Sequence, residues 1–284
     1  MIVVTSGGSE LGRLVVYHLL RRVPASRVTV TAAEPKEVED LAELGVGVRP
    51  EDFTDPAVAR RAFEGAERAL IIAPPGRFGS GIPVAQAIPC ADAAIAAGVR
   101  HLAYTSVVNV AGTHHLLHHA TEGHIRNAGV PFTFLRTNLQ SEALLPALRL
   151  ALTTGEFVCS FGGELVAPAA RTDYAEAAAI VLTGNDHHGA ALELTGPLGL
   201  KDLGVASAMS KAAGREIAVR AVAPEDLATE LARAGATPDP VAELAGINND
   251  IQLGEWSKAA DTLETVLGHG RKPLAAALRT ALAA

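Results

Sequence analysis

The chain has 284 residues, a formal charge of −7 (24 Lys+Arg against 31 Asp+Glu), 49% apolar residues, 4% aromatics and two cysteines. That length supplies one large core, or a large and a small one, and the composition excludes intrinsic disorder and collagen-like repeats. The modest acidic excess, without a basic run, leaves no electrostatic footprint for nucleic acid, and the longest apolar candidate after Arg77 is broken by Pro83, Pro89 and Asp92 before it reaches transmembrane length.

Met1-Ile2-Val3-Val4-Thr5-Ser6-Gly7-Gly8 has no basic n-region and turns glycine-rich too early for a signal peptide. Cys90 and Cys159 make no CxxC or zinc pattern and read as buried thiols of a reducing compartment. The expected location is therefore the cytoplasm, with neither nucleic acid nor membrane as a partner.

In chain order, short β-rich runs alternate with helical ones. Strands are predicted at 2–5, 27–33, 46–53, 68–73, 101–107 and 132–137. Helices are predicted at 11–22, 36–44, from Pro56 to near 64, at 84–97, and over the histidine-rich stretch 113–128. Six strands with intervening helices predict an α/β protein with a doubly wound parallel sheet. Beyond about Ser141 the rhythm loosens into a glycine-rich segment at 155–168, a helix from Tyr174, a strand at 192–195 and mostly helical sequence from Lys201. The predicted division is 1–140 for the nucleotide-type domain and 141–284 for a smaller C-terminal lobe, part of it returning to the sheet.

The first strand leads through Thr5-Ser6-Gly7-Gly8-Ser9-Glu10-Leu11-Gly12 into a helix. This is the setting in which a dinucleotide pyrophosphate rests on a helix N-terminus, so Ser6, Gly7, Gly8, Ser9, Leu11 and Gly12 are candidate cofactor residues. Against G-x-x-G-x-x-G, Ser6 and Ser9 occupy the first two glycine positions and only Gly12 falls in place. Serine lacks glycine's freedom at positive φ, while Gly7 and Gly8 can restore a tight turn one residue along. A nucleotide fold whose loop no longer holds its ligand stands as the alternative. Glu34 lies 22 residues after Gly12, where a ribose-diol partner is expected, and Lys36 is the only nearby cation, which favours NAD over NADP. Asp52 and Phe53 would flank an adenine, although Phe53 suits ordinary core equally well.

Further pieces are Val48-Arg49 ahead of Asp52-Phe53, Ala97-Gly98-Val99, Tyr104-Thr105-Ser106, His118-x-x-x-Glu122, Ala128-Gly129-Val130 leading into Thr133-Phe134-Leu135-Arg136, Ser141-Glu142, and Arg171-x-Asp173-Tyr174-Ala175. In order and spacing the chain resembles the NmrA-like atypical short-chain dehydrogenase/reductase family, and within it the bacterial NAD(P)H:quinone oxidoreductase group. The resemblance implies a Rossmann-type domain binding NAD or NADP, a smaller C-terminal α/β lobe, and a quinone or other small planar aromatic substrate; a homodimer is compatible with it. The chain departs from the family pattern at the opening loop, at Ala33 in place of a common arginine, at Gly123 in place of a frequent lysine, and at Ala143 in place of a frequent asparagine.

No tyrosine here has a lysine four residues on: Tyr17 is followed by Arg21, Tyr104 by Val108 and Tyr174 by Ala178. The usual Tyr-x-x-x-Lys ketone reduction is therefore not expected. A quinone takes hydride readily and leaves a stabilised phenolate, so placement matters more than a proton donor. On this reading Tyr104, Thr105, Ser106, Val107 and Asn109 line the nicotinamide, and Ala73, Pro74, Pro75 and Gly76 form the adenine-side or ribose wall. Phe78, Asn138, Leu139 and Phe161 face a flat substrate, and Tyr104, Ser106 and His118 are the candidate catalytic groups.

Half of the ten histidines (His114, His115, His118, His119 and His124) fall within eleven residues. His114, His118 and Glu122 form an i, i+4, i+8 stripe that could hold zinc or be a solvated helix face; the family resemblance implies no metal. Arg171 with Asp173 reads as a structural clasp, and Arg136 with Glu142 as a similar pair. Two further functions stand beside the reductase: a cofactor-independent transformation or coupling of an aromatic metabolite in a reused cleft, and a non-catalytic dinucleotide-sensing regulator.

Overall fold

The computed structural model describes residues 1–73, 81–109 and 115–284. Contacts divide the chain into two compact units, Met1–Thr137 with Thr172–Glu193, and Asn138–Arg171 with Leu194–Ala284.

The first unit is built on a seven-stranded sheet of β1 (Ile2–Val4), β2 (Val28–Ala32), β3 (Gly47–Pro50), β4 (Arg68–Ile71), β5 (His101–Val107), β6 (Phe132–Thr137) and β8 (Ala190–Leu194), in the order β3-β2-β1-β4-β5-β6-β8. The pairs from β3 through β6 are parallel, with Val3 opposite Thr29 and Ala69, and Tyr104 opposite Ile71 and Phe134. Reversal of strand order between β1 and β4 creates the switch point at which such sheets bind ligands.

The central strands read as unbroken apolar runs because both faces are covered. One face carries Val3, Ala69, Ile71, Leu102, Tyr104 and Phe134 against Ala59, Ala62 and Phe63 of the α3 (Pro56–Ala62) region and Ala87, Ala91 and Ala94 of α4 (Ala87–Ala96). The alanines let these helices approach closely, which explains how a core this poor in aromatics is filled. Helix α1 (Glu10–Leu20) buries Val15, Val16 and Leu19, and α3 starts on an Asp55 cap whose carboxylate accepts from the Ala57 and Val58 amides, with Pro56 at its first position. The remaining helices of this unit are α2 (Glu39–Glu43), α5 (Leu116–Asn127) and α7 (Arg171–Thr183).

Several boundaries differ from expectation for local reasons. The third strand ends at Pro50, with one last ladder bond from the Glu51 amide to the Ala32 carbonyl at 2.9 Å, instead of running to 53; Asp52 is already in the turn into α3. The helix expected at 36–44 is a 3₁₀ turn, Pro35–Val38, followed by the short α2. The second unit contains two strands that were not anticipated: β7 (Glu156–Cys159), inside the glycine-rich stretch, pairs in parallel with β9 (Ala218–Ala221). Around them are α6 (Leu145–Thr154), α8 (Asp202–Ala213), α9 (Leu227–Arg233), α10 (Pro238–Gln252), α11 (Thr262–Leu267) and α12 (Leu274–Ala283). No helix among the described residues is long and apolar enough to cross a membrane.

At the start of β5, His101 is buried, bonds the Thr133 hydroxyl at 2.9 Å and packs its ring on His188 at 4.3 Å. Burial, aided by His188 and Arg68, lowers its pKa to about 4. The unfolded chain therefore takes up this proton near pH 6.5 while the native state resists it until about pH 4, so stability falls as pH drops through that window. A urea titration at pH 7 and pH 4.5 should show His101→Gln losing about 2 kcal/mol less than the parent over this interval. An unchanged pH dependence would show that His101 is not the group responsible.

Candidate functional site

The glycine loop occupies the carboxyl ends of β1 and β2. Ser6 takes the left-handed backbone conformation that a glycine would adopt, with φ +52°. This costs a non-glycine residue about 1 kcal/mol or more, and the surroundings compensate. The Ser6 amide and hydroxyl both donate to the carboxylate of Glu51, the hydroxyl at 3.0 Å, and the Thr31 hydroxyl of β2 donates to the same group. The Gly7 amide meanwhile donates to the Thr31 carbonyl at 2.8 Å, which pins the turn to β2.

Ser9 is also productive where a glycine was expected. Its hydroxyl caps α1 by accepting from the Gly12 amide at 3.0 Å, and it donates to the Ser6 carbonyl at 2.7 Å. Gly12 is obligatory, because a Cβ there would lie 2.3 Å from the Ser6 carbonyl oxygen; one on Gly7 would lie 2.5 Å from Val30 Cβ. A Cβ on Gly8 would meet the flexible Glu37 side chain, and Leu11 is buried against the core. The two serines thus preserve the loop shape, with the close backbone approach and helix packing that a dinucleotide loop requires.

Glu51 was not among the predicted site residues. A glutamate just past a strand end carries no periodic or motif signal, and only the adjacency of three strand ends reveals it. Glu34, the expected diol partner, is exposed just before the Pro35–Val38 turn. Arg13 is held by Asp40 at 2.7 Å and by the Glu37 carbonyl, and its hydrogen bonds keep the Asp40 carboxyl below its usual range. Asp52 is exposed and accepts from the Thr54 amide and hydroxyl, forming the turn into α3. Phe53 is buried and stacked on Phe63 at 6.0 Å, so its ring belongs to the core.

At the ends of β4 and β5, the Thr105 hydroxyl accepts from the Ala73 amide at 2.8 Å and reaches the Ala73 carbonyl at 2.9 Å. Its role is to clamp the chain leaving β4. Pro74, Pro75, Gly76 and Phe78 lie outside the described residues, as does His114. Val107 is fully buried, and Asn109, just beyond, has a left-handed φ of +53°. The buried Ser106 hydroxyl has no hydrogen-bond partner among the described residues.

Tyr104 and His118, singled out separately as catalytic candidates, are brought together: the phenol lies 2.7 Å from His118 Nδ1. Both are buried, Tyr104 completely, within the layer between β5 and its covering helices. Burial pushes the Tyr104 phenol well above its ordinary pKa. The rest of the expected histidine stripe is redirected. Glu122 receives a bidentate contact from Arg136, at 2.9 Å from Nε and 2.6 Å from Nη2, while Arg136 Nη1 reaches Glu193 at 2.9 Å. His119 is exposed, and His124 pairs with Asp92 at 2.6 Å. No group of side chains suited to a metal ion occurs among the described residues.

The expected Arg136–Glu142 pair is therefore corrected, since Glu142 in the second unit accepts from the Arg171 amide and Arg171 Nε donates to Gln140. Also in that unit, the Asn138 amide donates to the carbonyls of Trp256 (3.1 Å) and Lys258 (2.9 Å) and accepts from Leu139 N–H. Asn138 thus staples its own unit together. Leu139 is buried, and Phe161 packs edge-on against Phe157 at 5.8 Å.

A parallel sheet of this order, with a glycine loop closing the first strand onto a helix, defines a Rossmann-type dinucleotide-binding protein. Residues 1–265 match the NmrA-like family, and the chain belongs to that family. It is 32% identical to quinone oxidoreductase 2 of Escherichia coli (strain K12) over 97% of this chain and 96% of that protein. It is 26% identical to an NAD(P)H azoreductase of Xenophilus azovorans over 94% of this chain and 91% of that one. Among solved structures, triphenylmethane reductase of Citrobacter sp. complexed with NADP(H) superposes with a TM-score of 0.87 at 30% identity, covering 99% of this chain and 100% of that one.

Proposed function

We propose that the chain is an NAD(P)H-dependent reductase that delivers hydride to a quinone or a related planar aromatic compound. The observation that carries this reading is the loop: with serines at two glycine positions it still has a left-handed residue 6 and a Gly12 site closed to any side chain. The named activities of the relatives, a quinone oxidoreductase, an azoreductase and a dye reductase, are all oxidoreductase activities, and the chain is of that class.

The residues present fit a dinucleotide. The amides at the start of α1 suit its pyrophosphate, and the ends of β1 to β3 suit its adenosine half. The bound nicotinamide would supply the hydride. With no Tyr-x-x-x-Lys pair in the chain, the residues' task is to align the acceptor and exclude competing water. Ser106, at the carboxyl end of β5 and with a buried hydroxyl that has no partner among the described residues, is the polar group best suited to orient the ring.

Tyr104 and His118 are read as a buried link between β5 and α5. Tyr104→Phe should lower stability by about 1–2 kcal/mol, by removing the buried phenol–His118 hydrogen bond, while altering quinone turnover less than about threefold. A loss of turnover of a hundredfold or more would restore Tyr104 to the chemistry.

Incubating the purified protein with a simple quinone and either NADH or NADPH, and following loss of the reduced-nicotinamide absorbance, tests the main reading. Sustained quinone-dependent oxidation is expected; none with either nucleotide would sink it.

A further inference from the structure

Glu51 follows β3 directly and spans the carboxyl ends of three adjacent strands, taking bonds from Ser6 beyond β1 and from Thr31 on β2. On this fold that is where the adenosine ribose of a dinucleotide rests. We infer that Glu51 selects the nucleotide: its carboxylate reads the adenosine ribose as a free diol and turns away a 2′-phosphate, so that NADH is preferred to NADPH. The inference rests on the reductase reading above and names the cofactor of that site.

Three observations support it. A carboxylate accepts about four hydrogen bonds, and Glu51, only partly buried, receives three from the described residues, which leaves capacity for a ribose hydroxyl. The group is also held in place: its donors include a backbone amide and a completely buried threonine hydroxyl, so it cannot swing aside without releasing Ser6 from its left-handed conformation. A 2′-phosphate would then bring up to about two negative charges against a fixed carboxylate in a partly desolvated crevice. Finally, Arg13, the arginine at this rim, is already engaged by Asp40 and the Glu37 carbonyl. Lys36, exposed in the Pro35–Val38 turn after β2, is a cation that would favour the opposite preference.

The test is calorimetric titration of the full chain with NADH and with NADPH, for the parent protein and for Glu51→Gln, with quinone turnover recorded alongside. The amide keeps one carbonyl acceptor for Ser6 and Thr31 and removes the charge. The parent should bind NADH at least about tenfold more tightly than NADPH, and Glu51→Gln should narrow that ratio by about tenfold. A second measurement needs no variant: raising ionic strength should narrow the ratio in the parent, because the penalty is electrostatic. Equal or NADPH-favouring binding by the parent overturns the inference, as does a ratio unaffected by Glu51→Gln or by salt. Quinone reduction that uses both nucleotides equally would overturn the role of Glu51 alone. Tight, selective NADH binding without turnover would overturn the reductase reading and leave Glu51 as the selector.

Discussion

A Gly12→Ala variant is expected to lose dinucleotide affinity by about a hundredfold or more while remaining folded. The new Cβ would stand 2.3 Å from the Ser6 carbonyl oxygen, so the two must separate by about 1 Å to reach ordinary contact. In a lax loop the chain would yield at little cost, and alanine's better helix propensity would offset part of it. Here the turn is braced on the other side by Glu51, Thr31 and the Ser9 cap, so displacement must come from the start of α1, whose amides suit a pyrophosphate. Calorimetry with NADH and NADPH, beside circular dichroism to confirm the fold, checks this. Parental affinity in the variant would mean that no nucleotide uses the loop.

Arg136→Ala is expected to cost about 3–5 kcal/mol of folding stability, the largest single loss among these variants. The Glu122 carboxylate is almost completely buried and takes its hydrogen bonds from the bidentate Arg136 guanidinium, with half-exposed Arg126 only at 3.8 Å, and Glu193 would lose the same cation. Proximity to the two carboxylates holds the Arg136 guanidinium even above its usual basicity, which marks the charged state as favoured in the fold. The penalty of the single substitution is mostly that of a stranded charge. Removing Arg136 and its buried partner together with Arg136→Met and Glu122→Leu should therefore recover part of it, leaving the loss at the more exposed Glu193. Urea denaturation of the two variants decides the point; a loss below about 1 kcal/mol for Arg136→Ala would show that solvent reaches Glu122 after all.

The loop shows how far local pattern carries. Its place between a strand and a helix, and the need for Gly12, are visible in the order of residues, because steric demands on backbone conformation act over a few positions. That Ser6 can stand in for glycine is not visible there, since the compensation comes from Glu51, 45 residues away. The histidine helix makes the same point from the other direction. Spacing aligns His118 with Glu122 on one face, which fits a metal site or a solvated helix face, with His118 as a candidate acid or base. Packing instead gives His118 to Tyr104 and Glu122 to Arg136, each on a strand beneath the helix. Asn138 reads as a polar group fit for a ligand until its amide is found holding the Trp256 and Lys258 carbonyls.

The sequence by itself determined the doubly wound α/β fold, the NmrA-like family and the absence of a Tyr-x-x-x-Lys pair, all of which rest on hydrophobic period, turn chemistry and spacing along the chain. Only the tertiary structure decided which polar side chains remain able to meet a ligand and which are already engaged. A buried hydrogen-bonding group must find a partner wherever the fold brings one within about 3 Å, and that choice depends on distances through space that no local pattern encodes.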